Sequence, residues 1–230
     1  MRRIVILICC LFMINGVVQA QELTFEQLAA KVEQKLEAID DLRAVFEAEV
    51  VESGQKMTMK MEVKWVKESK LTRIDFLSPR VLEGQFYIAD AEKQELSVYV
   101  PMTNMLMVMP VQSAEEFGFD LPIGDFEKPI QFEDVKGEIL RVEQTDRGLS
   151  YVVQIKELDQ SMVGMISAGG SSDQAVQYVW FDADFMPVRF EYWDGEVCLA
   201  KLVIPEYEIN KGVSAEELLA VPEDAMKVKM

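Results

Sequence analysis

The 230-residue chain contains no histidine. That single lack removes Ser-His-Asp catalysis, Cys-His catalysis and every imidazole-ligated metal site. Basic residues are also scarce, with 23 Lys and Arg against 40 Asp and Glu. The resulting formal charge of −17 disfavours nucleic acid or an anionic bilayer as the primary partner and leaves a basic protein surface as an allowed one. No interior apolar run approaches the ~20 residues that a membrane-crossing helix needs, which excludes a polytopic membrane protein. Glycine (12) and proline (8) are few, charge is scattered rather than blocked, and half of the residues are hydrophobic, so the chain has a core to bury. Neither a phosphate-binding loop nor a Gly-rich dinucleotide fingerprint is present. Asp182-Ala183-Asp184 is not followed by further acidic ligands at calcium-loop spacing and reads as a turn. The other carboxylates are spread along polar strand faces, so no glycosidase pair stands out. The sequence therefore offers no catalytic residue, metal ligand set or cofactor site, and is not read as an enzyme.

What is present begins with a targeting segment. Arg2 and Arg3 precede an unbroken apolar stretch from Ile4 to Ile14, and Val18-Gln19-Ala20 places small residues before a cut after Ala20. This reads as a signal peptide over residues 1–20. An uncleaved anchor is the alternative, but Asn15 and Gly16 shorten the apolar stretch too far. Ile8, before Cys9 and Cys10, stands where a lipoprotein signal wants a small residue. Cys198 is then the only thiol of the mature chain, and its neighbours Val197 and Leu199 suggest a buried strand position.

From residue 21 onward the sequence reads as one helix followed mostly by strands. Thr24 and Gln27 fit a capping box, and Leu28, Val32, Leu36 and Ile39 share one helical face. The period then changes from helical to two. Leu42, Ala44, Phe46, Ala48 and Val50 alternate with polar residues, a turn follows at residues 52–55, and Met57, Met59, Met61, Val63 and Trp65 alternate in the return strand. Further strands are expected at 71–77, 85–89, 96–100, 105–109, 131–144, 149–158, 175–182, 187–193 and 196–209, with a closing helical turn at 214–220. Residues 114–128 read as a crossover with short helical pieces, broken by Gly118, Pro122 and Gly124. Residues 159–174 read as a loop with an apolar tip. No linker or fixed-period repeat divides the chain, so 21–230 is expected to be a single domain.

The unusual feature is methionine. Met57, Met59 and Met61 share one strand face and Met105, Met107 and Met109 another. Thioether side chains are unbranched and adaptable, which suits a surface closing around apolar ligands of variable shape, although an ordinary core filled with Met gives the same pattern.

Several stretches resemble the LolA/LolB family of periplasmic lipoprotein-localisation factors. Leu71-Thr72-Arg73-Ile74-Asp75-Phe76 ending in Ser78-Pro79 is similar to the family's aromatic-Arg-aromatic strand before a proline. Phe86-Tyr87-Ile88-Ala89-Asp90 resembles its strand ending in Asp-Gly, and Leu96-Ser97-Val98-Tyr99-Val100-Pro101 its Leu-x-x-Tyr-x-Pro strand. Trp180-Phe181-Asp182 through Pro187-Val188-Arg189, with Glu208-Ile209-Asn210, resembles its last hairpin. The chain departs from the family in two places. Lys67-Glu68-Ser69 stands where the proteobacterial carriers have Lys-Arg-Pro, so their lid latch is not carried over, and Ala91 replaces the glycine after Asp90.

The resemblance implies a mainly β (α+β) fold: an unclosed, strongly curved antiparallel β-barrel with an N-terminal helix and short lid helices over a hydrophobic cavity. Phe46, Met57, Met59, Met61, Trp65, Ile74, Phe76, Met105, Met107 and Met109 are the candidate cavity residues. Phe117, Phe119, Met162 and Met165 are the candidate lid or loop residues. The implied function is that of a monomeric, soluble, periplasmic or otherwise extracytoplasmic carrier of lipoprotein acyl chains or lipid, served by a membrane donor complex and an acceptor. A lipid-sensing regulatory protein of the same fold with a protein partner is the alternative, and a secreted β-rich enzyme or carbohydrate binder a third reading.

Overall fold

A computed structural model describes residues 23–52, 54–113, 135–157 and 175–230. Helix α1 (Phe25–Glu37) starts where the sequence places it. Thr24 Oγ1 accepts the Gln27 backbone N–H at 3.3 Å, and Gln27 Oε1 accepts that of Thr24 at 3.1 Å. Two otherwise orphaned donors are thereby satisfied. At the other end Lys67 Nζ donates to the Glu37 carbonyl at 2.7 Å, a cation at the negative end of the helix dipole.

One twelve-stranded sheet follows. Its strands are β1 (Asp41–Glu52), β2 (Gln55–Val66), β3 (Leu71–Ser78), β4 (Phe86–Asp90), β5 (Glu95–Val100), β6 (Met105–Pro110), β7 (Lys136–Thr145), β8 (Gly148–Glu157), β9 (Ala175–Phe181), β10 (Pro187–Asp194), β11 (Val197–Ile209) and β12 (Met226–Lys229). The order across the sheet is β12-β6-β5-β4-β3-β2-β1-β11-β10-β9-β8-β7. Since β7 and β12 end the order without pairing, the barrel is open. Every pairing is antiparallel except that of β12 with β6. The mainly β, unclosed curved barrel with an N-terminal helix is thus the observed fold.

The sequence reading ended with a helical turn, and α2 (Ala215–Leu219) is there, but β12 beyond it was not anticipated. Met226-Lys227-Val228-Lys229 is too short to register as a strand on its own pattern, and the free edge of β6 decides its conformation. Cys198 on β11 is half-buried rather than buried, beside a Val197 that is 53% exposed next to the hairpin turn. The 114–128 crossover, the 159–174 loop and the signal peptide lie outside the described residues.

The two faces of the sheet differ in chemistry. On the face that carries α1, called here the inner face, Leu28, Ala29 and Val32 of the helix pack against Val153, Ile155, Val179 and Phe181. On the outer face Leu218 of α2, fully buried, packs with Leu71, Phe86, Ile88, Tyr99 and Leu106. Arg73 fastens that contact. Its Nε meets the Asp75 carboxylate at 2.9 Å, its Nη1 donates to the Leu218 and Ala220 carbonyls, and its guanidinium lies 3.9 Å from the Phe86 ring centre.

Candidate ligand-binding site

Because side chains alternate between faces and paired residues share one, the ladder registers define the inner face residue by residue. Leu42, Trp65, Thr72, Ala89, Leu96 and Met109 form one transverse row from β1 to β6. Ala44, Val63, Ile74, Tyr87, Val98 and Met107 form the next. Phe46, Met61 and Phe76 continue it, Ala48 pairs with Met59, Val50 with Met57, and Val100 with Met105. All ten candidate cavity residues therefore lie on the inner face. Across β1–β6 and β9–β11 its paired positions hold no Lys or Arg. The Lys and Arg residues of the same strands lie on the outer face, in pairs such as Lys60 with Glu47 (3.0 Å), Lys56 with Glu49 (2.9 Å) and Lys64 with Glu62 (2.9 Å).

The ten residues do not form one cluster. Met57 is 46% exposed at the hairpin end of β2, whereas Met59, Met61, Phe46, Trp65, Ile74, Met105 and Met107 are half-buried. Phe76 is buried, with its ring edge-on to Tyr87 at 5.1 Å. Met109, at 1% exposure, is close-packed with Ala89, Leu96 and Val98 and presents no surface. The two methionine sets stand on β2 and β6 with three strands between them, so the register joins them only through residues such as Ile74, Tyr87 and Val98. Phe117, Phe119, Met162 and Met165 lie outside the described residues. The sequence reading missed Tyr87, Val98 and Ala44 of the same face, although their alternation with outward residues was there to be read.

A cleft of about 500 Å³ opens elsewhere, where the β1–β11 ladder slips between Val45 and Glu47. Arg43, Glu62, Arg147, Asp182 and Tyr207 line it together with Ala44, Val45 and Pro205, so it is of mixed chemistry, and no methionine lines it. Tyr207 Oη donates to Asp182 Oδ2 at 2.6 Å, while Asp182 Oδ1 accepts the backbone N–H groups of Asp184 and Met186, both at 3.0 Å. Asp182 thus caps the β9–β10 turn, as read from the sequence. Burial first, and the Asp182 carboxylate second, push the Tyr207 phenol far above its ordinary range. Burial likewise raises the Tyr87 phenol and, with help from Glu191, the Cys198 thiol. Burial disfavours the Lys64 ammonium, but Glu62, Asp75 and Glu217 overcome this and leave its pKa raised. Asp41, Glu26 and Glu49 are lowered. Each of these shifts moves the group away from neutrality, the reverse of what general acid–base chemistry requires. No group of three acidic or thiol ligands suited to a metal exists among the described residues.

No protein-family model matches the chain, and no curated protein matches it in sequence. Solved structures do match it in fold. An uncharacterized conserved protein from Thermus thermophilus is 19% identical, with a TM-score of 0.57 over 89% of this chain and 98% of that one. MucB is 12% identical, with a TM-score of 0.55 over 86% of this chain and 63% of that one. The Mycobacterium tuberculosis lipoprotein LppX is 14% identical, with a TM-score of 0.51 over 83% of this chain and 98% of that one. The fold shared with these structures is the open, curved barrel that the sequence motifs implied.

Proposed function

We propose that the protein is an extracytoplasmic carrier that shields the acyl chains of lipoproteins or lipids on its inner face and passes them between membranes. The observation that carries this reading is the inner face itself. It is apolar across successive strands, has no Lys or Arg in its paired positions from β1 to β6, and keeps seven of its ten candidate residues half-buried rather than close-packed. Burial is worth about 0.8 kcal/mol per methylene, so a chain of about sixteen carbons gains on the order of 12 kcal/mol before ordering is subtracted. A rigid matched pocket would release such cargo too slowly. Unbranched thioethers accommodate it without a fixed shape, which permits transfer. No covalent step is required of any residue. In this reading residues 1–20 are removed after Ala20, residues 21–230 act as one monomeric domain, and a membrane donor and an acceptor supply and receive the cargo. No described helix is long and apolar enough to cross a membrane.

Delipidated protein is expected to take up a fluorescent acyl probe with micromolar or tighter affinity. Absence of uptake by folded protein would overturn the reading.

A further inference from the structure

Among the described residues, the inner face contains one buried polar group without a partner. Gln177 of β9 is only 6% exposed, and its Nε2 has no hydrogen-bond partner. The ladders place it in the transverse row Ile155, Gln177, Tyr192, Ala200, Val50 and Met57. That row runs from the α1-covered part of the sheet to the exposed Met57. Strands are spaced by about 4.8 Å, so four steps separate Gln177 from Met57 by about 19 Å along the sheet. Ile155 and Tyr192, its cross-strand neighbours, are themselves buried. An amide N–H without an acceptor in such surroundings costs stability; Ile155 has no acceptor to offer, and the Tyr192 phenol makes no hydrogen bond to Gln177 Nε2.

We propose that Gln177 is the polar anchor of the ligand site, donating from Nε2 to a neutral acyl carbonyl, either an ester or an amide. This rests on the carrier reading and deepens it by naming the ligand's head chemistry. Apolar sites fix the orientation of a ligand with a small number of well-placed polar groups, and Gln177 is such a group in a row otherwise made of Ile155, Ala200, Val50, Met57 and the Tyr192 ring. A neutral carbonyl supplies the missing acceptor. A carboxylate does so only by bringing a charge to a face with no Lys or Arg in its paired positions from β1 to β6 and β9 to β11, on a protein of net charge −17. The site therefore selects esterified or amidated acyl groups over free fatty acids.

The experiment compares one fluorescent acyl chain in three forms, as methyl ester, free acid and carbonyl-free alkane, on the wild type and on Gln177→Leu. Wild type is expected to bind the ester about fivefold more tightly than the alkane, the gain of one hydrogen bond, and the acid more weakly than the ester. Gln177→Leu is expected to bind ester and alkane equally and to melt at or above the wild-type temperature, since it removes an unpartnered amide. An ester preference that survives in Gln177→Leu, or a sharp fall in its melting temperature, overturns the anchor. Equal binding of ester and alkane by the wild type overturns the anchor and leaves the carrier standing, whereas no binding of any form overturns both. Displacement of the bound ester probe by a diacyl phospholipid or by a synthetic N-acylated lipopeptide then distinguishes a lipid from a lipoprotein as the source of the carbonyl.

Discussion

Asn210 and Asp41 tie the end of β11 to the start of β1. The Asn210 backbone N–H donates to the Asp41 carbonyl at 2.9 Å, and the Asn210 side chain accepts from Asp40 N–H at 2.7 Å and donates to the Ala38 carbonyl at 2.9 Å. In return the Asp41 carboxylate accepts the N–H groups of Lys211 and Gly212, both at 3.0 Å. The joint between α1 and β1 is thereby tied to the end of β11. Asn210→Ala leaves the Asp40 donor and the Ala38 acceptor without this partner, and is expected to cost about 1–2 kcal/mol in urea denaturation. A loss below about 0.3 kcal/mol would show that the tie is redundant.

The same pair has a pH signature. Burial favours the neutral form of Asp41, but the N–H groups of Gly212, Val213 and Lys211 outweigh it and hold the pKa below the usual carboxylate value. A depressed folded-state pKa gives stability that is present above the unfolded value, about 3.9, and is lost as pH falls through the folded value. Melting temperature plotted against pH should therefore fall less steeply below about pH 4 in Asp41→Asn than in wild type. Parallel curves would remove Asp41 from the acid response.

Arg73 makes the outer face dependent on one side chain. Replacing it with Met leaves the Asp75 carboxylate with Lys64 at 3.6 Å and frees the Leu218 and Ala220 carbonyls, a change expected to cost about 2–3 kcal/mol. Lys in its place keeps the charge but not the fork, and should recover only part of the loss. Limited proteolysis should then cut preferentially after β11, within residues 210–230. An unchanged digestion pattern would mean that Leu218 alone holds the segment.

A glycine fits helix α1 to the edge strand. A Cβ on Gly137 of β7 would collide with the Phe25 ring, so Gly137→Ala forces the first turn of α1 outward. The expected loss is about 1–3 kcal/mol. Phe25→Leu in the same chain should recover part of it. A double-mutant cycle with no coupling between the two positions would contradict the contact.

Most strands were legible because their alternation is clean. Met57, Met59, Met61 against Thr58, Lys60, Glu62 can be read only as a half-buried strand, and the Thr24–Gln27 box with Leu28 and Val32 only as an amphipathic helix. What could not be read depends on tertiary position. Met107 and Met109 are equivalent in alternation, yet Met109 is sealed by Ala89, Leu96 and Val98 while Met107 stays half-buried. Gln177 looks like any strand glutamine until the register turns it inward. Lys67 opens the β2–β3 turn, but its bond to Glu37 depends on how that turn meets the end of α1.

The half-buried methionines allow the most direct test of the carrier account, in the double variant Met59→Gln, Met107→Gln. Both positions are partly exposed on the inner face, so a ligand surface tolerates the amides. The account predicts a melting temperature within a few degrees of wild type and acyl-probe affinity several-fold weaker. In a dry, close-packed core the same change would bury two amides at roughly 1–3 kcal/mol each. A double variant that lost several kcal/mol of stability while its folded fraction bound probe as tightly as wild type would contradict the account.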